Sequence, residues 1–298
     1  MKLSISDLEQ LSGVPVHTIR IWERRYNALE PLRSSGNTRS YNDEHLKRLL
    51  NIVSLNQAGV KISQACSLTG DQMEEFLEKE LKAIMPGLAS FEFYVSQLLN
   101  AGVKYDELSF SILLDQCIEE HGIMKTYEQV MFPLLQRLGL MWRLDHICPA
   151  HEHFISAIVR QKLMTAINSL PLSNRGGPVW LLFLPEDEAH DIPLLFASFM
   201  LRSYGFKVIY LGERVPMESL KDAYSSTQVD HLLFFLVRQR PVKETGNYLQ
   251  NLSNTFPNAN IFLAGNGKLI AELELGANMS CFSSIAEFSQ LVKGGNGQ

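Results

Sequence analysis

The residues best suited to chemistry in this 298-residue chain are cationic and hydrogen-bonding side chains between positions 17 and 41. In the run VHTIRIWERRY, the spacing of Val16, Ile19 and Trp22 predicts one apolar face of a helix. The other faces carry His17, Thr18, Arg20, Arg24 and Arg25. Such an exposed face is suited to nucleic acid, with most of its contacts made to phosphate.

A helix, a glycine turn and a second helix would position this face. Apolar residues at helical spacing begin at Ile5, Gly13 ends that pattern, and Pro15 suits a new first turn because its φ is fixed and it has no N–H. The second helix is predicted from about residue 16 to residue 26.

The segment after the second helix predicts a short two-stranded wing. It contains Arg33 and the run SSGNTRSY, in which Gly36 and Asn37 would form the tip. Arg39 and Tyr41 close the run. We expect these two side chains to point toward a phosphate backbone.

Charge is divided unevenly along the chain. Residues 1–70 hold nine Lys/Arg against six Asp/Glu, whereas the remaining 228 residues hold 18 against 26, so a cationic head joins an anionic body within a total of −5. This asymmetry predicts that only the N-terminal part meets nucleic acid. On composition alone, an ordinary small helical domain with a solvated basic face is the alternative.

The N-terminal residues resemble the winged-helix DNA-binding head of the MerR family of transcriptional regulators. The resemblance covers the Gly-Val-Pro turn, the helix IRIWERRY, the wing ending in RSY and the helix that follows from Asp43. It implies an operator of double-stranded DNA as partner. The residues that it places on DNA are His17, Thr18, Arg20, Arg24, Arg33, Asn37, Arg39 and Tyr41.

Composition bounds the rest of the chain. Its length and an apolar content of 46% predict two or three packed domains. The sequence has no run of eighteen apolar residues and begins unlike a signal peptide, so we expect a cytoplasmic protein without a membrane partner. Four cysteines without a Cys-x-x-Cys pair argue against disulfides, a thiolate zinc site and the metal-sensing MerR subclass.

A helical domain is predicted after a linker at residues 82–90, where Pro86 and Gly87 interrupt the pattern. Its four helices form a four-helix bundle in outline, joined by turns at Gly102, Gly122 and Asp145. We expect the helices at residues 91–101, 104–120, 123–140 and 149–168. The domains are accordingly placed at residues 1–80, 88–170 and 177–298, with the run PLSNRGGP before the third.

The last third of the chain alternates apolar runs with helical segments. The runs lie at residues 179–184, 207–212, 231–237 and 260–265. They predict a flavodoxin-like, doubly wound parallel sheet, because strands covered on both faces are apolar throughout. Ligands of this fold bind at the carboxyl ends of the strands, and the first such loop, residues 185–193, is rich in titratable groups. The predicted fold class is therefore multidomain α and α/β.

Two features of the body carry a second resemblance. Trp142 is followed after nine residues by Glu152 and His153, and His190 lies in the first strand-to-helix loop. Taken singly, such a tryptophan is usually core and such a histidine solvated. With the MerR head, they resemble the cobalamin-dependent photoreceptor regulators of the CarH type. The resemblance implies adenosylcobalamin with Trp142, Glu152 and His153 above the ring and His190 below it as the lower cobalt ligand. A neighbouring acid would orient the imidazole, namely Asp187, Glu188 or Asp191.

The sequence departs from that family where the nucleotide tail of cobalamin passes. The family has the pattern Asp-x-His-x-x-Gly in this loop, but this chain has Glu188 in place of the aspartate and Pro193 in place of the glycine. In the third strand, Phe235 stands where the family has a serine. In the fourth strand, Ala264 stands where the family has the first glycine of a Gly-Gly pair. Each bulky intrusion into a packed channel costs about 1 to 3 kcal/mol. The departures therefore weigh against cobalamin, whereas the retained Trp142, Glu152, His153 and His190 weigh for it.

Three functions follow from these alternatives. The first is a DNA-binding regulator, forming dimers or larger homo-oligomers, whose DNA affinity is controlled by cobalamin or light. The second is a regulator whose module has lost cobalamin and serves oligomerisation or partner binding. The third, a cobalamin-dependent enzyme module, is disfavoured because the chain offers no recognisable nucleophile and base pair or substrate barrel.

Overall fold

The computed structural model describes residues 3–33, 39–57, 60–73, 76, 91–143, 148–171 and 177–294. The chain divides into two compact units, Met1–Val159 and Arg160–Gln298. The predicted linker at residues 82–90 and most of the run at 171–178 lie outside the described residues.

The N-terminal part of the first unit is a winged helix-turn-helix, as predicted. Its elements are α1 (Ile5–Ser12), α2 (Val16–Tyr26), β1 (Leu32–Arg33), β2 (Arg39–Ser40), α3 (Asp43–Gln57) and α4 (Ile62–Ser67). Ser4 and Asp7 cap α1 reciprocally, and Gly13 ends it in the left-handed conformation at φ 73°. The strands β1 and β2 pair antiparallel as the wing.

Residues 91–143 and 148–159 of the first unit are largely helical. They contain α5 (Phe91–Val103), α6 (Glu107–Thr126), a π-helical turn (Tyr127–Met131) and α7 (Phe132–Arg143). The last helix, α8 (Pro149–Asn168), begins in the first unit and ends in the second. Gly122 interrupts α6 with φ 76° and ψ 155°, close to the predicted helix break.

The predicted turn at Gly102 is wrong, because this glycine lies inside α5. A Cβ at Gly102 would stand 2.3 Å from Cδ1 of Ile155 in α8. Gly102 thus leaves room for the Ile155 side chain to pack against α5 and does not form the predicted turn. Asp145, the other predicted turn residue, lies outside the described residues.

The second unit is a parallel sheet with crossover helices. Its elements are β3 (Val179–Pro185), α9 (Ile192–Ser203), β4 (Lys207–Val215), α10 (Met217–Ser226), β5 (His231–Leu236), α11 (Val242–Thr255), β6 (Asn260–Gly265), α12 (Gly267–Ala271), β7 (Met279–Cys281) and α13 (Ile285–Gly294). The strand order is β4-β3-β5-β6-β7, with every pair parallel. The sequence missed β7 because this three-residue strand has only one buried residue.

The sheet positions a candidate site at the carboxyl ends of its central strands. The order reverses between β3 and β5, and ligands of doubly wound sheets bind at such switch points beyond the carboxyl ends of the strands. The loop after β3 carries Glu188 and His190, and the loop after β5 begins at residue 237. One face beneath them is filled by an apolar cluster that includes Phe183 and Phe234, whose rings stack with centroids 5.3 Å apart.

Candidate functional site

Helix α2 presents the predicted cationic face to solvent. Ile19 is buried, with 1% of its surface exposed, whereas His17, Arg20 and Arg24 are exposed and Thr18 is half-buried. The apolar spacing thus fixes which way the helix faces, and its basic side chains stand where phosphate could reach them.

Tyr41 does not lie at the surface as the sequence suggested. Its ring is fully buried, and its hydroxyl donates a 2.6 Å hydrogen bond to Oε1 of Glu23 on α2. Burial and this carboxylate raise the pKa of Tyr41. The expected contact of Tyr41 with phosphate is therefore corrected, since the side chain instead anchors the wing to α2.

Arg39 is held by the same carboxylate. Its Nε lies 3.5 Å from Oε2 of Glu23, and its side chain is 42% exposed. Glu23 therefore links α2, the predicted recognition helix, to the wing. The sequence did not predict this role. Arg33 lies in β1, whereas Asn37 lies outside the described residues.

The residues predicted to lie above a corrin ring fall on the helical part. Glu152, half-buried, and His153, exposed, are consecutive in α8, with Glu152 in its first turn. Trp142 belongs to α7, but its side chain is outside the described part of the structure.

His190 lies in the loop after β3 and is bound to a buried carboxylate. Its Nδ1 is 2.5 Å from Oε1 of Glu188, and the two side chains are 50% and 0% exposed. An imidazole that donates Nδ1–H to a carboxylate keeps its lone pair on Nε2, the arrangement found in metal-ligating histidines. Of the three acids named as orienting groups, Glu188 is the one that contacts this ring.

Glu188 is held by two loops at once. Its Oε2 accepts hydrogen bonds from the backbone N–H groups of Val237 and Arg238, at 3.0 and 2.9 Å, just after β5. Burial alone raises the pKa of this carboxyl, but hydrogen bonds from His190 and Arg238 outweigh burial and lower the pKa to about 2. Glu188 is therefore a carboxylate at neutral pH, and it ties the His190 loop to the β5 loop.

The other two acids serve different partners. Asp191 is buried and accepts a bidentate contact from Arg160 of α8, at 2.8 to 3.0 Å. Asp187 pairs with Nη1 of Arg240 at 2.8 Å, and Nη2 of Arg240 is 3.5 Å from Glu188. The loop is thus held in place by charged contacts on both sides of His190.

The positions expected to line a nucleotide channel are packed. Phe235 is 8% exposed and meets Phe282 edge-on, with ring centroids 6.1 Å apart. Ala264 is 6% exposed, and Pro193 occupies the first turn of α9. A Cβ at Gly265 would stand 2.2 Å from the carbonyl oxygen of Leu236, so that glycine is required by the neighbouring strand. The His190 loop thus presents an oriented imidazole, whereas Phe235 and Ala264 are packed against the protein itself.

Within the described ranges, no three His, Cys, Asp or Glu side chains cluster closely enough to hold a metal ion by themselves. A cobalt ion that arrives inside a corrin ring needs only one such protein ligand, which His190 can supply. Searching the same ranges for a helix long and apolar enough to cross a membrane finds none.

A winged helix-turn-helix with an exposed basic helix, followed by a helical bundle and a flavodoxin-like sheet, defines a one-component DNA-binding regulator. Comparison with known proteins agrees with this class. Residues 3–68 match the model for MerR HTH family regulatory proteins, and residues 94–166 match the model for a B12 binding domain.

The similar proteins of known identity are also transcriptional regulators. The HTH-type transcriptional repressor CarH of Myxococcus xanthus is 33% identical over 83% of this chain and 83% of its own length. The repressor CarA of the same organism is 28% identical over 97% of this chain and 94% of its own. The chain belongs to the MerR family of transcriptional regulators, in the group that CarH represents, and not to an enzyme family.

Solved structures agree on the fold. The monomethylamine corrinoid protein of Methanosarcina barkeri superposes with a TM-score of 0.55 at 14% identity, covering 68% of this chain and 98% of that one. The predicted combination of helices and a flavodoxin-like parallel sheet is confirmed by this likeness.

Proposed function

We propose that this chain is an operator-binding regulator whose DNA affinity is controlled by cobalamin, with His190 as the lower axial ligand. The observation that supports the ligand role is the 2.5 Å contact between Nδ1 of His190 and Glu188, which orients Nε2 as the coordinating atom. When bound, cobalamin would supply a cobalt ion that accepts this nitrogen. Glu152 and His153 would lie on the other side of the ring, together with Trp142.

Adenosylcobalamin is the form that we propose, and its retention tests the function. The full chain is mixed with adenosylcobalamin in the dark and desalted, and its visible spectrum is recorded. We expect the protein to stay coloured. His190→Ala should lose most of the colour, whereas His17→Ala, the same substitution in the DNA-binding head, should keep it. A colourless wild-type protein would refute cobalamin control.

A second candidate function is favoured by the packing of Phe235 against Phe282. If these rings exclude cobalamin, the module serves instead for homo-oligomerisation or for binding a partner protein. The desalting experiment distinguishes the two candidates. Only the first predicts that the wild-type protein retains cobalamin colour and that His190→Ala loses it. In both, we propose a cytoplasmic regulator that binds its operator as a dimer or larger homo-oligomer.

The DNA contacts are proposed for exposed basic residues of α2 and the wing, chiefly Arg20 and Arg39, with His17, Thr18 and Arg24 beside them. Arg20→Ala and Arg39→Ala should each weaken operator binding. Each should also lower the slope of log affinity against log salt by about one unit per lost phosphate contact. Lys221→Ala, an exposed cation on α10, is the matched control. An unchanged slope in both arginine variants would contradict this interface.

A further inference from the structure

Helix α5 is buried around its whole circumference. Every residue in the stretch 93–102 is buried, whereas a helix on the outside of a bundle exposes one face. The cause is that α5 packs against α6 on the bundle side and against α3 of the winged helix on the other. The helical sensory part and the DNA-binding head therefore share α5 as a common core element.

A buried polar contact fixes the register of this shared core. Nδ2 of Asn100 on α5 donates to Oδ1 of Asn51 on α3 at 3.2 Å. These residues are only 9% and 2% exposed. Sliding α3 along α5 would leave both amides unpaired in an apolar contact, which is costly. This pair therefore favours one docked position over neighbouring ones.

A second contact reaches the turn before the recognition helix. Arg137 of α7 forms a bidentate pair with Glu92 of α5, with both nitrogen–oxygen distances 2.7 Å. This pair lies directly beneath Gly13, where an added Cβ would stand 3.1 Å from Nη2 of Arg137. Elsewhere along this contact, α1 packs against α7.

The turn over this pair is held by hydrogen bonds to residues of α1. The backbone N–H of Gly13 donates to the carbonyl of Glu9 at 2.8 Å, and the N–H of Val16 donates to the Glu9 carboxylate, also at 2.8 Å. The N–H of Val14 donates to Oγ of Ser12 at 3.2 Å. Because Val16 is the first residue of α2, the carboxylate of Glu9 ties α1 to the start of the recognition helix.

We propose that the Glu92–Arg137 pair is the docking platform for the helix-turn-helix turn, and that the bundle thereby sets the position of the recognition helix. A rearrangement of α5 against α7 displaces the platform, and the hydrogen-bonded turn carries that displacement to α2. This coupling acts whatever ligand the sensory module binds, so it does not depend on cobalamin.

Hydrogen exchange of the full chain tests the platform. Arg137→Ala removes the contact under Gly13 and should raise the exchange rate of the amides in residues 9–16 by about tenfold. Lys221→Ala, which removes an exposed pair in the second unit, should leave these amides unchanged. If Arg137→Ala speeds exchange only within α5 and α7, the pair merely holds the bundle together and the proposal fails.

Two glycines supply an independent test that separates contact from backbone strain. Gly13→Ala adds strain and also crowds Arg137, whereas Gly122→Ala adds strain at φ 76° with no atom within 4 Å of the new Cβ. Gly13→Ala should lower the melting temperature by less in the Arg137→Ala background than in the wild type. In that background the new methyl group no longer meets the Arg137 side chain. Gly122→Ala should cost the same in both backgrounds. Equal costs for Gly13→Ala in the two backgrounds would overturn the docking contact.

The DNA consequence is measured with a duplex that the wild-type chain selects from a random-sequence pool. Arg137→Ala is expected to weaken its binding by about tenfold, because the recognition helix is no longer held in one position. Lys221→Ala should bind as the wild type does. Unchanged affinity of Arg137→Ala, together with faster exchange at residues 9–16, would refute control of DNA binding through this contact.

Discussion

Glu188 explains why one departure from the family pattern is compatible with a ligand histidine. Glutamate stands where the family pattern has aspartate, and its side chain is one methylene longer. In the structure, the longer side chain reaches His190 with one oxygen and the N–H groups of Val237 and Arg238 with the other. The glutamate at position 188 therefore orients the imidazole of His190 and also joins the two loops.

The ionisation of Glu188 predicts acid sensitivity. Its folded-state pKa of about 2 lies below the ordinary value of 4.5, so its contribution to stability is complete above about pH 4.5. That contribution is lost as the pH falls through about 2. In urea unfolding, the free energy of unfolding of the wild type should fall between pH 5 and pH 2 by about 3 kcal/mol more than that of Glu188→Gln. Parallel pH profiles for the two proteins would contradict this assignment.

Among the elements, helix boundaries were predictable where a local signal sets them. Gly13 ends α1, and α8 spans the predicted residues 149–168. Gly102 was misplaced because a glycine inside a helix gives the same local signal as a glycine in a turn. Its role depends on Ile155, which is distant in the chain and is brought close only by the packing of α5 on α8.

This close packing makes Gly102→Ala a destabilising substitution. The new methyl group would overlap Ile155, and we expect a loss of about 1 to 3 kcal/mol in the free energy of unfolding. Gly139→Ala in α7 is the matched control, because no atom lies within 4 Å of its Cβ. Alanine has the higher helix propensity, so the control should gain up to about 1 kcal/mol. Thermal unfolding of both variants measures the two effects. Equal losses of stability in Gly102→Ala and Gly139→Ala would disprove the close contact with Ile155.

For the whole molecule, the units do not coincide with the three predicted domains. The winged helix and most of the bundle lie in the one compact unit Met1–Val159. Composition and turn residues predict a linker between them, but such a prediction does not reveal whether the joined parts pack together. The burial of α5 supplies that information.

Removing the head should therefore damage the bundle. A chain without residues 1–73 exposes the face of α5 that packs on α3, including Asn100. We expect this fragment to bind a dye for apolar surface and to self-associate, whereas the full chain does neither to the same extent. Dye fluorescence and size-exclusion chromatography provide the measurement. A dye-silent fragment with the size of a folded monomer would show that the bundle stands alone.

The sequence by itself determined the class of this protein. The spacing of Val16, Ile19 and Trp22 defines the recognition helix, and continuous apolar runs define the parallel strands, because both signals are local periodicities. Only the tertiary structure decided that Tyr41 is buried and that α5 joins head and bundle. It also decided that Glu188 spans two loops, since it meets Arg238 across 50 positions of the chain. Such contacts depend on how elements pack, which no local pattern encodes.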